Sequence, residues 1–327
     1  MPKICYQSKD FNDVWLDVID KANDLIDQYA AQGFDLTLRQ LYYQFVAHDL
    51  FPDDRCYSMN ESGKWVKDPG GTKNAEPNYD WLGVIISDAR RAGLIDWEAI
   101  VDRTRFIRNP SAWDSPAHLV GACADWYDVD RWKGQPFHVE VWVEKDALIG
   151  VIEAACDPWK CPYFSCRGYT SDSEIWSSAQ RMKEIHDEQD KRIVIFHLGD
   201  HDPSGVDMTR DIQERLCMFS ELDEEQLDVR RIALTMKQVK AVNPPPNPAK
   251  ITDSRAKEYI KTYGAKSWEL DALDPTYLSA LIAKEMKKLI DAGEWARAEE
   301  RRDRGREYLG VVSGRMEDEQ ADSGEEY

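Results

Sequence analysis

Hydrophobic positions in the N-terminal part of the chain recur at helical spacing. In residues 10–31 (DFNDVWLDVIDKANDLIDQYAA), Val14, Ile19, Leu25, Ile26 and Tyr29 fall at roughly helical intervals and Gly33 supplies a stop, which predicts an amphipathic helix. In residues 37–48 (TLRQLYYQFVAH), Leu38, Leu41, Tyr42, Phe45 and Val46 follow the i, i+3, i+4, i+7, i+8 rule behind a threonine able to cap. Residues 50–76 are rich in Asp, Gly, Lys, Pro and Asn and read as a loop, and NYDWLGVIISDARRAGLI then reads as a helix ending at Gly93. Helix, loop, helix and turn suggest a winged-helix module over residues 1–135.

From Pro136 the pattern changes to apolar runs of strand length, FHVEVWV, PYFSC, RIVIFHL and RIALT. Between and around them lie DALIGVIEAA, DSEIWSSAQRMKEI and SGVDMTRDIQERL, each with apolar residues at helical spacing. The alternation predicts an α/β domain with a mainly parallel sheet flanked by helices, over residues 136–310 with its C-terminal helices. Residues 243–255 (NPPPNPAKITDSR) are too proline-rich for regular structure and read as a semi-rigid arm. The acidic stretch MEDEQADSGEEY has almost no apolar residues, so a disordered tail is expected over 311–327.

At 327 residues the chain has room for two domains of about 150 residues each. No apolar run approaches a membrane span, and the N-terminal residues lack a basic segment followed by an apolar stretch, so a cytoplasmic protein is expected. The seven cysteines fit reduced thiols, and Cys156, Cys161 and Cys166, which lack paired CxxC spacing, read as buried thiols around a strand. A net charge of −19 argues against coating nucleic acid through bulk charge, so any DNA contact must be local and metal-assisted.

Two strand ends carry the chemistry. FHVEVWV runs into Glu144-Lys145, and RIVIFHL runs into Gly199-Asp200-His201-Asp202-Pro203-Ser204-Gly205. In a parallel sheet these C-terminal ends converge on a crevice, where Glu144, Asp200 and Asp202 would repel one another unless a divalent cation satisfied them together. All-oxygen ligands favour Mg²⁺, with Mn²⁺ possible, over zinc. The competing reading is a simple turn and helix cap at Asp200 and Asp202. On the helix at 37–48, Arg39 and Tyr43 fall one turn apart, opposite the face that carries Tyr42, so Tyr43 is expected to point outward beside a cation. A tyrosine with a pKa near 10 needs such a neighbour to act as a nucleophile, although both tyrosines could equally be packing residues.

The strand-end Glu followed by a strand-end DxD resembles the Toprim domain of topoisomerases, primases and related nucleases, and Cys166-Arg167-Gly168-Tyr169 resembles the glycine turn between those motifs. With Thr37-Leu38-Arg39-Gln40-Leu41-Tyr42-Tyr43 ahead of it, the order of parts resembles the A subunit of topoisomerase VI and the meiotic double-strand-break proteins, in a compact stand-alone form. The resemblance covers roughly residues 35–240. It implies Mg²⁺-dependent DNA cleavage, with Tyr43 as nucleophile, Arg39 assisting, Glu144 as metal ligand or general acid, and Asp200 and Asp202 as metal ligands. It also implies a homodimer. Where that family's glycine turn continues into Pro-Asp, this chain has Thr170-Ser171-Asp172. With no glycine-rich phosphate loop, strand passage would require a separate ATPase partner. Two other readings compete: a Toprim nuclease of a phage or plasmid defence system that activates water, and a non-enzymatic DNA-binding protein. Arg90, Arg91 and Lys145 are the expected DNA-binding residues, and the non-enzymatic reading adds Arg103, Arg105 and Arg108.

Overall fold

The computed structural model describes residues 3–60, 62–101 and 112–323. Helices α1 (Asp13–Ala30), α2 (Leu38–Ala47) and α3 (Glu76–Arg91) pack around one apolar core. Ile19, Leu25, Ile26 and Tyr29 of α1 are buried there as their spacing predicts, whereas Val14 is exposed at the first turn. The start of α2 is written in its sequence: Thr37 and Gln40 form a reciprocal capping box that satisfies two otherwise unpaired N–H groups. Residues 50–76, expected as a loop, contain the short antiparallel pair β1 (Tyr57–Met59) and β2 (Trp65–Lys67). Each is three residues long, too short for alternation to register. This hairpin lies between α2 and α3.

The second unit is a four-stranded parallel sheet of β3 (Phe137–Val143), β4 (Tyr163–Ser165), β5 (Arg192–Leu198) and β6 (Leu227–Ala233), in the order β4-β3-β5-β6. Alternation along β3 divides two cores. Val139, Val141 and Val143 face α5 (Ile149–Cys156) and α10 (Pro275–Met286), while Trp142 faces α6 (Asp172–Gln189) and α7 (Pro203–Ser220). Cys156, Cys161 and Cys166 are buried free thiols, as expected. The chain leaves β3 toward β4 and leaves β5 toward β6, so the connection direction reverses between the two central strands. That reversal places a crevice above the C-terminal ends of β3 and β5.

α8 (Met236–Val242) leads into the proline-rich arm, whose only regular structure is β7 (Asn247–Pro248) paired with β8 (Lys266–Ser267) across α9 (Ala256–Tyr263). The acidic C-terminal segment is not disordered through Ser323: α11 (Ala292–Ser323) is continuous and packs on α4 (Pro116–Trp126). Ser313 is buried in this pairing, its Oγ donating to Ala117 O at 3.0 Å. Composition misleads here because the acids lie outside a narrow inner stripe that α4 covers. Residues 116–126 therefore pair with the end of the chain. No described helix is long and apolar enough to cross a membrane.

Candidate functional site at the sheet edge

Glu144 extends β3, its N–H donating to Leu198 O at 2.8 Å. Its Oε2 accepts the Asp200 N–H at 2.8 Å, so the two strand-end motifs are joined directly. The chain then turns back tightly: a Cβ on Gly205 would fall 2.3 Å from Asp200 O, so only glycine fits. Asp202 caps α7, its Oδ1 accepting from Gly205 N at 2.6 Å and Ser204 Oγ at 3.0 Å. Arg231 of β6 holds this turn from beneath, donating to Gly199 O, Asp200 O and Gly205 O at 3.0, 2.5 and 2.7 Å. His201 is buried, its ring paired with the Tyr259 hydroxyl at 2.8 Å, and burial pushes its pKa down to about 4.

Burial pushes the Asp200 carboxyl up to about 7, with Lys145 opposing and Glu144 and Asp271 adding to the rise. Glu144 is raised as well, by burial and then by the Asp202 charge, against the Asp200 N–H. The three carboxylates thus share one edge but are not gathered into a ligand cluster. Among the described residues, no group of three or more His, Cys, Asp or Glu side chains could hold a metal ion. Asp200 is occupied on both oxygens, by Leu270 N–H at 2.8 Å and Lys145 Nζ at 3.1 Å.

The segment Trp268-Glu269-Leu270-Asp271 lies at the centre of the site. Asp271 takes Arg39 Nε at 2.6 Å on one oxygen and Lys145 Nζ at 3.0 Å on the other, and Glu269 Oε2 takes both cations at 2.5 Å. These two cations hold the Glu269 carboxyl down at about 2, against the larger opposing effect of burial. Burial is also the largest single influence on Lys145 and Arg39 and lowers both, but the facing carboxylates together outweigh it, so both stay charged. Lys145 is therefore an internal ion-pairing group and not a cation presented to DNA.

Tyr43 does not point outward. It is 4% exposed because the 268–272 segment covers that face of α2, with Ala272 in the same core. Its hydroxyl does lie beside the expected cation, 3.5 Å from Arg39 Nη2, and a cavity of about 320 Å³ lined by Arg39, Tyr43, Tyr79 and Glu269 opens next to it. Burial pushes the phenol well above its ordinary range, and Asp271 and Glu269 raise it further against Arg39 and Lys145. Tyr42, buried as expected, donates to Asn74 Oδ1 at 2.9 Å. Arg90 is half-buried over the Trp97 ring and bonded to Trp97 O, while Arg91 is exposed. Both line a cavity of about 570 Å³ that also reaches Arg39. Arg103, Arg105 and Arg108 lie outside the described residues.

Glu269, Asp271, Arg231 and His201 escaped sequence reasoning. The available signal was weak: acids alternate with Trp268, Leu270 and Leu273, an apolar spacing that draws Asp271 inside with them. No family model, no curated protein and no solved structure matches this chain.

Proposed function

We propose that the protein cleaves DNA by metal-assisted transesterification, with Tyr43 as nucleophile and the sheet edge at Glu144, Asp200 and Asp202 as a Toprim-type acidic site. The supporting observation is that Arg39, next to Tyr43, and Lys145, next to Glu144, share both carboxylates of Glu269 and Asp271. Two candidate chemistries about a hundred residues apart in sequence form one charge network within a single chain. The N-terminal helices with their hairpin would serve as a winged-helix-like module that presents DNA to this network, with Arg90 and Arg91 on its phosphates.

In the reaction the Tyr43 oxygen forms a bond to phosphorus while the bond from phosphorus to the 3′ oxygen breaks, leaving a 5′-phosphotyrosyl linkage and a 3′ hydroxyl. The phenol proton passes to water, and Arg39 stabilises the phenolate as it forms. The leaving oxygen takes its proton from water or from Glu144. Carboxylate oxygens are the donor type a hard divalent cation takes, and Mg²⁺ would offset the burial and the Asp202 charge that raise Glu144, but as placed the three carboxylates are not gathered, so holding the ion would require them to draw together. Glu144, Asp200 and Asp202 would be its ligands. When bound, the ion would stabilise negative charge on the phosphate and the departing oxygen.

The burial of Tyr43 and its raised phenol favour a second reading, in which the same acidic edge activates water and the tyrosine only packs. End-labelled DNA incubated with Mg²⁺ and resolved on denaturing gels, with and without protease, separates the two. Label retained on the protein and lost in Tyr43→Phe supports transesterification. Metal-dependent cleavage leaving free 5′ phosphates, unchanged in that variant, supports hydrolysis. Binding that persists in EDTA without cleavage would sink both.

A further inference from the structure

One face of α11 is covered by α4, and the opposite face carries a stripe with no partner among the described residues. Arg304, Tyr308, Val311, Arg315 and Asp318 follow one another at four- and three-residue steps and are all exposed. This is the heptad spacing of a helix seam. Tyr308 and Val311 are 70% and 50% exposed, large apolar surfaces for one helix to leave in water. Among the described residues the ion pairs of α11 join Arg297 to Glu294, Arg302 to Asp303 and Glu299 to Arg131, and none involves the charges of the stripe.

The stripe is self-complementary about Val311. Seven residues to either side stand Arg304 and Asp318, and four to either side stand Glu307 and Arg315. Ten before stands Arg301, and eleven after stands Asp322. Laid antiparallel against a second copy with Val311 opposite Val311, every one of these cations meets an anion or its immediate neighbour. Tyr308 then falls opposite Gly314 and beside Arg315, where the ring has both room and a cation.

The glycines give a separate argument. A Cβ on Gly305 would fall 2.2 Å from the Tyr127 ring, so close packing within the chain explains that glycine. On Gly314, three residues past Val311 at the flank of the stripe, a Cβ would meet nothing within 4 Å. Glycine inside a helix weakens it relative to alanine, and here nothing among the described residues requires it. Close approach by an outside backbone would.

We propose that α11 pairs antiparallel with α11 of a second copy of this chain, centred on Val311, over about 30 Å at 1.5 Å per residue. The pairing stands independently of any DNA-cleaving activity. The full-length protein is expected to sediment as a dimer. The charge-reversed variant Arg301→Glu with Arg304→Glu places acid against acid at both ends of the two-fold seam and should sediment as a monomer. Asp318→Arg with Asp322→Arg should do the same, base against base. Mixing the two variants makes every facing pair attractive again, so the equimolar mixture should recover the dimer, which also shows that both variants fold. A monomeric parent protein, a dimer unaffected by either variant, or a mixture that stays monomeric would each overturn the proposal.

Discussion

Asp271 and Lys145 meet at 3.0 Å, with the aspartate 1% exposed, and this pair fastens the N-terminal helices to the sheet edge because Arg39 holds the other aspartate oxygen. Neutralising Asp271 as Asn leaves two cations facing a smaller anionic counterpart. Breaking a fully buried pair costs about 3–5 kcal/mol, and the half-exposed Arg39 recovers part of that through water, so a loss of about 2–3 kcal/mol is expected. Urea denaturation of Asp271→Asn against the parent protein measures it. A change within experimental error would mean that Glu269 alone carries the network.

Lys145 also pairs with the Asp200 carboxylate, at 3.1 Å, where a metal would otherwise neutralise it. Replacing it by Met should weaken the metal-free protein, because Asp200 and Asp271 lose their buried partner. It should also tighten Mn²⁺ binding by about tenfold, equivalent to ~1.4 kcal/mol. Mg²⁺ would then raise the melting temperature more in Lys145→Met than in the parent protein, since a ligand stabilises the state it binds. Calorimetric titration with Mn²⁺ gives the affinity directly, and equal affinities would remove Asp200 from the ligand set.

Three strands of the parallel sheet and most of the helices were legible because each is local, an apolar run bounded by turn residues or a capping box such as Thr37 with Gln40, whereas the run RIALT caught only the last three residues of β6, whose first half alternates with charges. The strand-end positions of Glu144 and Asp200 followed from the same runs. What the sequence could not convey is which distant segment covers a given face. Tyr43 reads as outward on an isolated helix and is buried only because residues 268–272 return over it. The acidic tail reads as solvated and is helical because α4, nearly two hundred residues earlier, offers Ala117 to Ser313. Pairings of that kind depend on the assembled fold and leave no periodic trace.

Adjacent tyrosines on α2 give a test that separates chemistry from packing. The Tyr42 hydroxyl donates to buried Asn74 at 2.9 Å, whereas the Tyr43 hydroxyl has only the 3.5 Å contact with Arg39. Tyr42→Phe should therefore cost about 1 kcal/mol of stability and retain cleavage. Tyr43→Phe should leave stability within about 0.5 kcal/mol and abolish the covalent adduct. Thermal melts paired with the denaturing gel assay read both quantities. The reverse pattern, an adduct lost only in Tyr42→Phe, would move the nucleophile by one residue.

Acid stability should depend on a carboxylate away from the site. Glu140 lies inside the sheet on the α6 side, where Trp142 Nε1 donates to it at 2.9 Å, His138 Nε2 stands at 2.8 Å and Arg181 pairs with it. Burial works to raise its pKa, but the His138 and Arg181 contacts together prevail and hold it down at about 2, from an ordinary value of 4.5. A depressed carboxylate binds fewer protons folded than unfolded, so its stabilisation is fully present above the ordinary value and is lost as pH falls toward about 2. At 1.36 kcal/mol per pKa unit this is worth about 3 kcal/mol, to order of magnitude. Glu140→Gln should accordingly flatten the stability profile between about pH 4.5 and pH 2 while lowering stability at neutral pH. Denaturation curves across that range, parent against variant, would show parallel profiles if the buried carboxylate were already neutral.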